Sequence, residues 1–498
     1  MSIDHKPWLK NPKIYEINTW PWLNSLSEIY NKPITLQNIP EEIFNRNISL
    51  FDAIWLMGVW ERSPASKKIA LGHPDLQVEF HKALHEFRDE EVVGSPYSVY
   101  YYHVDENIGG FEGLKEVRQQ LSEKGIRLLL DYVPNHVSID SLWTLESNLF
   151  VKGTLEDLMS RSYDFFSLSE KVFAHGRDPV IATSWTDTIQ INAFSREARQ
   201  KTTKTLLSIA ELCDGVRCDM AMLMTNRIFS KTWGDKAGPV PDKEFWEEII
   251  TTVKHKFPNF LFIAEVYWDM ESELQQQGFD FCYDKRLYER LTHENANTIK
   301  EHLKADTSYQ NKLVRFIENH DELRAVETCG VERSRAAALI ALTLPGARLV
   351  HEGQMEGYKI KLPVQLGRRQ IEVINQDLLK FYQNLLTLIP GEEFLNAKWS
   401  LCRIDPVDSN DSSFNNIISY LWWIDDKYRL VVVNFSPYYS KAHIKIQPLD
   451  YGSDKWVFDD LLTKNEFQFE GKDLGEHGLY VELEAWKGHV FNIQKIYN

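Results

Sequence analysis

The sequence predicts an α/β protein: a (β/α)8 TIM barrel with a small insertion domain after strand 3 and a C-terminal antiparallel β-sandwich domain. Three observations carry this. Short β-rich apolar runs alternate with amphipathic stretches through the first four-fifths of the chain. Two intervals between runs are too long for simple loops. After about residue 390 the pattern changes to closely spaced strands punctuated by turns.

The apolar runs place strands at 13–18, 53–57, 127–131, 215–219, 260–265, 279–281, 313–317 and 348–351. Alternation of such runs with helical periodicity predicts a parallel sheet, and eight strands are the number at which it closes. The amphipathic stretches 110–124, 196–212, 242–256 and 334–344 lead into the third, fourth, fifth and eighth strands. One long interval lies between the second and third strands and holds Gly94-Ser95-Pro96-Tyr97 and Gly109-Gly110; the longer one, residues 137–194, holds Trp143, Trp185 and His175-Gly176-Arg177-Asp178. Long loops after barrel strands usually build the active site. The expected division is therefore 1–136 and 195–390 for the barrel, 137–194 for the insertion and 391–498 for the sandwich. In the last part, 417–424 and 429–435 are dense in β-branched and aromatic residues, and 443–446, 456–458 and 481–483 continue the alternation.

Composition narrows the function classes. A net charge of −16 argues against nucleic acid and anionic membrane surfaces as partners and suits a neutral small-molecule or oligosaccharide substrate. Aromatic content is high, with 15 Trp and 21 Tyr; core packing accounts for most of them, and flat rings also suit the C–H face of a sugar. No apolar run approaches a membrane span, and Met1–Lys6 lacks the regions of a secretory signal. The five cysteines show no CxxC spacing and read as free thiols in a reducing, cytoplasmic setting.

Four stretches at strand ends carry the chemistry: Asp131-Tyr132-Val133-Pro134-Asn135-His136, Gly215-Val216-Arg217-Cys218-Asp219, Ile263-Ala264-Glu265 and Glu318-Asn319-His320-Asp321. Arg217 and Asp219 are two apart on one strand and so share a face. A guanidinium beside a carboxylate keeps it ionised, as a nucleophile must be. Glu265 ends the next strand; its flanks Phe262, Ile263, Val266 and Tyr267 predict less polar surroundings, which suit a general acid. Retaining glycosidases hold two such carboxyls about 5–5.5 Å apart. His136 and His320-Asp321 fall on the same rim and suit sugar hydroxyls. With no HxH or HExxH, a catalytic metal is not expected.

In this order, the four stretches resemble the four signature regions of the α-amylase family of glycoside hydrolases (family 13), on strands three, four, five and seven. The resemblance implies Asp219 as nucleophile, Glu265 as general acid/base and Asp321 as the transition-state-stabilising acid. It implies Arg217 as the residue orienting the nucleophile, with Asp131 supporting it. His136 and His320 match histidines that bind hydroxyls, and Tyr97 in Gly94-Ser95-Pro96-Tyr97 resembles the tyrosine that stacks on that sugar. The segment 185–192 looks like the end of the family's domain B. The implied reaction is double displacement at an α-glucosidic bond with net retention. Transfer to another sugar or to phosphate would use the same residues; a non-catalytic sugar-binding barrel is the reading of another class. No cofactor is required by this chemistry. Calcium stays open, since Asn135 matches one of its ligands, whereas Met222 and Leu223 stand where many relatives carry the Lys-His that also serves that site. The same departure points away from long starch chains and toward short α-glucosides or maltooligosaccharides.

Overall fold

Eight strands close into a barrel in chain order: β1 Lys13–Asn18, β2 Ala53–Met57, β3 Arg127–Tyr132, β4 Gly215–Cys218, β5 Leu261–Ala264, β6 Phe281–Tyr283, β7 Leu313–Arg315 and β8 Ala347–His351. This computed structural model describes residues 7–180, 183–389 and 397–496. The expected boundary at 390–391 and the opening Met1–Lys6 lie outside the described residues. The described chain forms two compact units. The first takes in Ile14–Tyr283 and Lys361–Ile371, the second Asp284–Ile360 and Glu372–Asn498.

Within the first unit the helices behave as amphipathic elements should. Gly110–Glu123 buries Leu114, Val117 and Leu121, spaced to form a single stripe. Arg196–Ala210 starts where the Ser195 hydroxyl accepts the Ala198 N–H at 3.2 Å, satisfying a helix-start donor. It buries Ala198, Thr202, Leu206 and Ile209. Phe245–Lys256 carries Glu247 and Glu248 in its first turn and Lys254, His255 and Lys256 in its last, matching the helix dipole.

Two expected elements shift. The sixth strand begins at Phe281, not at 279, because Gly278 turns the chain at φ +111° and the Asp280 carboxylate accepts the Phe262 N–H at 2.8 Å. The helix before the eighth strand starts at Ala325 and runs to Thr343, broken at Gly330 (φ +74°). Its apolar half matches the predicted stretch; the polar half hides the rest of the helix from a periodicity reading.

The insertion is tied off at its base. His136–Ser138 pairs antiparallel with Thr188–Gln190, in the register His136↔Gln190, while Phe165–Leu168 and Lys171–Ala174 make a separate ribbon. In the second unit a six-stranded and a three-stranded sheet share one core: Leu421, Leu430, Val432, Phe458 and Phe491 from the larger face Ala442, Ile444, Val481 and Leu483 from the smaller. This is the expected sandwich. Trp422 Nε1 donates to the Thr343 carbonyl at 2.8 Å, which fastens the kinked helix to it.

β4 and β5 set the geometry that matters most. Gly215 opens β4 against Leu261, where an added Cβ would lie 2.6 Å from Leu261 Cβ and 2.7 Å from its carbonyl oxygen. Gly215→Ala is expected to force these strands apart and to cost about 1–3 kcal/mol, the usual range for overpacking. A urea denaturation midpoint equal to that of the parent protein would refute this.

Candidate functional site

Strand register explains why the acids meet. Arg217 on β4 aligns with Asp131 on β3 and with Ile263 on β5. Side chains two residues further on face the same way, so Asp219 and Glu265 stand side by side above them. The backbone continues this alignment past the strands: the Glu265 N–H donates to the Cys218 carbonyl at 3.0 Å and the Asp219 N–H to the Tyr132 carbonyl at 2.9 Å.

Arg217, fully buried, sits at the centre. Its Nη1 lies 2.7 Å from Asp219 Oδ1 and its Nη2 2.8 Å from Glu265 Oε2. One planar cation thus holds both carboxylates, each on its own nitrogen. Asp131 is 3.9 Å from Nη1 and is itself fixed from behind, since Gly58 N–H donates to Asp131 Oδ2 at 3.0 Å. Gly58 is required there because its φ is +77° and a Cβ would meet Arg62 Nη2 at 2.8 Å. The rings of Tyr97, Trp55 and Tyr283 surround the guanidinium at 5.1, 5.4 and 5.7 Å, within cation–π range. Burial alone would lower the pKa of Arg217. Glu265 foremost, then Tyr97, Tyr283 and Asp219, reverse this and drive it well above the ordinary arginine value.

Glu265 differs from expectation in its surroundings. The neighbouring Phe262, Ile263 and Val266 are buried and apolar, but the carboxylate faces donors. Besides Arg217 it accepts the Met220 N–H at 2.6 Å and the Tyr267 hydroxyl at 2.8 Å. Met220 delivers that N–H from a left-handed backbone (φ +43°), an uncommon conformation for a non-glycine residue. Sequence reading missed Met220 and Tyr283, and took Tyr267 as an apolar flank where its hydroxyl is a donor. For Tyr267 a signal existed, because it is two residues beyond Glu265 and so on the same face.

His136 and Tyr97 join the same unit through a directed relay. Gln190 Nε2 donates to Asn135 Oδ1 at 2.9 Å, and Asn135 Nδ2 donates to His136 Nδ1 at 3.1 Å. His136 Nε2 in turn donates to the Tyr97 carbonyl at 3.1 Å. A carbonyl can only accept, so the proton of neutral His136 resides on Nε2. Both ring nitrogens are therefore engaged by protein groups. Burial lowers the His136 pKa to about 4, against smaller opposing pulls from Asp187 and the Tyr97 carbonyl.

His320 and Asp321 belong to the second unit, in the loop after β7. There His320 Nε2 lies 3.1 Å from Asp321 Oδ2, with His320 buried and Asp321 partly exposed. Asn319 Oδ1 accepts the N–H groups of Asp321 and Glu322, each at 3.0 Å, which shapes the turn. Glu318 clasps the loop by taking Arg324 Nη1 at 2.6 Å on one oxygen and the Ala325 N–H at 2.7 Å on the other. Burial would raise the Glu318 pKa; Arg324, aided by His351, outweighs it and holds the carboxyl below its usual range. Arg324 and His351 were not anticipated from sequence.

The His136 shift has a measurable sign. Its folded value lies below the roughly 6.5 of a free imidazole, so between about pH 6.5 and 4 the unfolded chain binds a proton that the folded chain refuses. Stability from this residue is full above that window and falls as pH drops through it. His136→Gln is expected to make the pH dependence of the unfolding free energy shallower there by up to about 1.4 kcal/mol per pH unit. His175, also lowered by burial, acts in the same direction in both proteins, so the comparison isolates His136. Equal slopes in parent and variant would exclude the buried neutral form.

Known proteins resemble this chain in sequence and in fold. A family profile described as "Alpha amylase, catalytic domain" matches residues 51–202. An α-amylase, MalA, of Haloarcula japonica is 22% identical over 67% of this chain and 46% of its own length. The intracellular maltogenic amylase of Bacillus subtilis (strain 168) is 23% identical over 72% of this chain and 59% of its own. The chain thus spans about half of the one curated relative and three-fifths of the other. A maltogenic α-amylase from Thermotoga neapolitana superposes with a TM-score of 0.68 at 18% identity, over 98% of this chain and 100% of that one. Residues 51–202 thus match the catalytic domain of the α-amylase family, and the chain as a whole has the fold of α-amylases of known structure.

Proposed function

We propose that the protein is a retaining α-glycosidase acting on short α-glucosides or maltooligosaccharides by double displacement. The observation that carries this reading is the single guanidinium of Arg217 shared by Asp219 and Glu265. A shared cation keeps the two carboxylates close together, and retaining glycosidases use a close pair, about 5–5.5 Å apart, in which one attacks while the other protonates. Glu265 takes up a proton as substrate draws its carboxyl away from Arg217, and Asp219 attacks the anomeric carbon as Glu265 gives that proton to the departing glycosidic oxygen. Glu265 then removes a proton from water, whose oxygen displaces Asp219 and restores the free carboxylate. Asp321 and His320 grip ring hydroxyls as the sugar flattens, Tyr97 lies against the ring, and His136 and Asp131 hold Tyr97 and Arg217 in place.

Met222 and Leu223, both fully buried, support a preference for short substrates, because no charged side chain stands at that position to meet a long leaving group. The maltogenic relative supports maltooligosaccharides as the class. No helix among the described residues is long and apolar enough to cross a membrane, and all five cysteines are thiols, which supports action in a reducing compartment such as the cytoplasm.

A fluorinated α-glucosyl donor should leave a covalent adduct on the parent protein, seen as one glycosyl mass added, and none on Asp219→Asn. No adduct with any donor would overturn the catalytic reading in favour of sugar binding. Glu265→Gln should lower turnover of maltooligosaccharides by about 10²–10⁴-fold and turnover of an activated glucosyl fluoride far less. Equal losses on both would remove Glu265 from the acid role. Product analysis with added glucose or phosphate identifies the acceptor: free reducing sugar regardless of additive supports hydrolysis, and turnover that requires the additive overturns it.

A further inference from the structure

Asn135 is the residue at which the family resemblance implies calcium, so its surroundings test whether a cation fits there. They do not. The Asn135 side-chain oxygen, the Asn135 carbonyl and the Ile191 carbonyl all point at one atom, the Nε2 of Gln190, at 2.9, 2.8 and 3.0 Å. An ion bound by these oxygens would have to occupy the place of that nitrogen. Asn135 and Gln190 are both fully buried. The amide orientation is fixed by chemistry, since only an N–H end can face three acceptors, and the Arg177 N–H approaches the Gln190 oxygen at 3.4 Å. The register His136↔Gln190 at the base of the insertion delivers the side chain to this spot.

The donor set also fails for calcium on charge. Calcium takes about six to eight oxygens at roughly 2.3–2.6 Å and usually several carboxylates. The three converging oxygens are neutral. Among the described residues no cluster of three or more His, Cys, Asp or Glu side chains is arranged to hold a metal.

We propose that the Gln190 amide is a built-in substitute for a cation, so that the junction of barrel and insertion holds without calcium. Its two N–H groups satisfy oxygens that an ion would otherwise draw together. By fixing Asn135 Oδ1 it also turns Asn135 Nδ2 toward His136, as an ion on that oxygen would. The inference does not depend on which reaction the protein performs.

The test is thermal unfolding of the full chain in EGTA and in millimolar calcium chloride, with metal content by mass spectrometry, for the parent and for Gln190→Leu. The parent should melt at the same temperature in both buffers and carry no stoichiometric calcium. Gln190→Leu should melt about 5 °C or more lower, having stranded the Asn135 side-chain oxygen and the Ile191 carbonyl while the Asn135 carbonyl keeps the Ile191 N–H, and calcium should not restore it. If Gln190→Leu does not fold, Gln190→Asn, whose amide is one methylene too short, takes its place. A calcium response equal in parent and variant belongs to an ion elsewhere and leaves this junction cation-free. A parent that loses stability in EGTA, with that response or its bound calcium abolished by the Gln190 change, overturns the proposal.

Discussion

A buried guanidinium between two carboxylates is the constraint on which this site depends. Arg217 is fully buried, and so large a charge taken out of water is costly unless it is paired. Asp219 and Glu265 pair it, Asp131 stands behind it, and three aromatic rings face it. The dependence runs both ways. Two carboxylates so close would repel each other without the cation, and the cation would be stranded without them. The polar heart of the first unit therefore has one self-consistent arrangement, and the strands that carry it must keep their register. A slip of one residue between β4 and β5 would turn Glu265 away from Arg217.

Precision around this centre comes from backbone details more than from side-chain bulk. Gly58 reaches Asp131 because its φ is +77°, and Met220 reaches Glu265 because its φ is +43°. Conformations of this kind are uncommon and persist where surrounding contacts over-determine them. Here the contacts are hydrogen bonds to Glu265, the proposed acid, and to Asp131, which backs Arg217. The second unit repeats the theme differently. Glu318 ties Arg324 and the Ala325 N–H, closing the loop that presents His320 and Asp321 at its crest.

Much of this was legible in the chain, for physical reasons. Parallel barrel strands are buried on both faces, so β2 reads as a continuous apolar run. Period two along β4 put Arg217 and Asp219 on one face. What escaped notice lacked such periodicity. The helix from Ala325 hides its first half behind polar residues and Gly330, and β6 slid by two residues because Asp280 spends its side chain capping β5. Tyr283, Met220 and Gln190 reach the site or its relay from outside the four signature stretches. Gln190 gives no local sign at all, since its role exists only once residues 188–190 pair with 136–138. The expected apolar setting of Glu265 failed for a related reason: flanking residues describe the strand's two faces, not the donors that converge on its end.

That pairing at the insertion's base has an evolutionary consequence. Because the chain leaves and re-enters the barrel along two hydrogen-bonded strands, everything between them hangs from a clasp already closed. The excursion can grow, shrink or change composition at modest entropic cost while the imidazole at its root keeps its tilt. Descendants of this protein are free to experiment with what overhangs the cleft and still inherit an undisturbed floor.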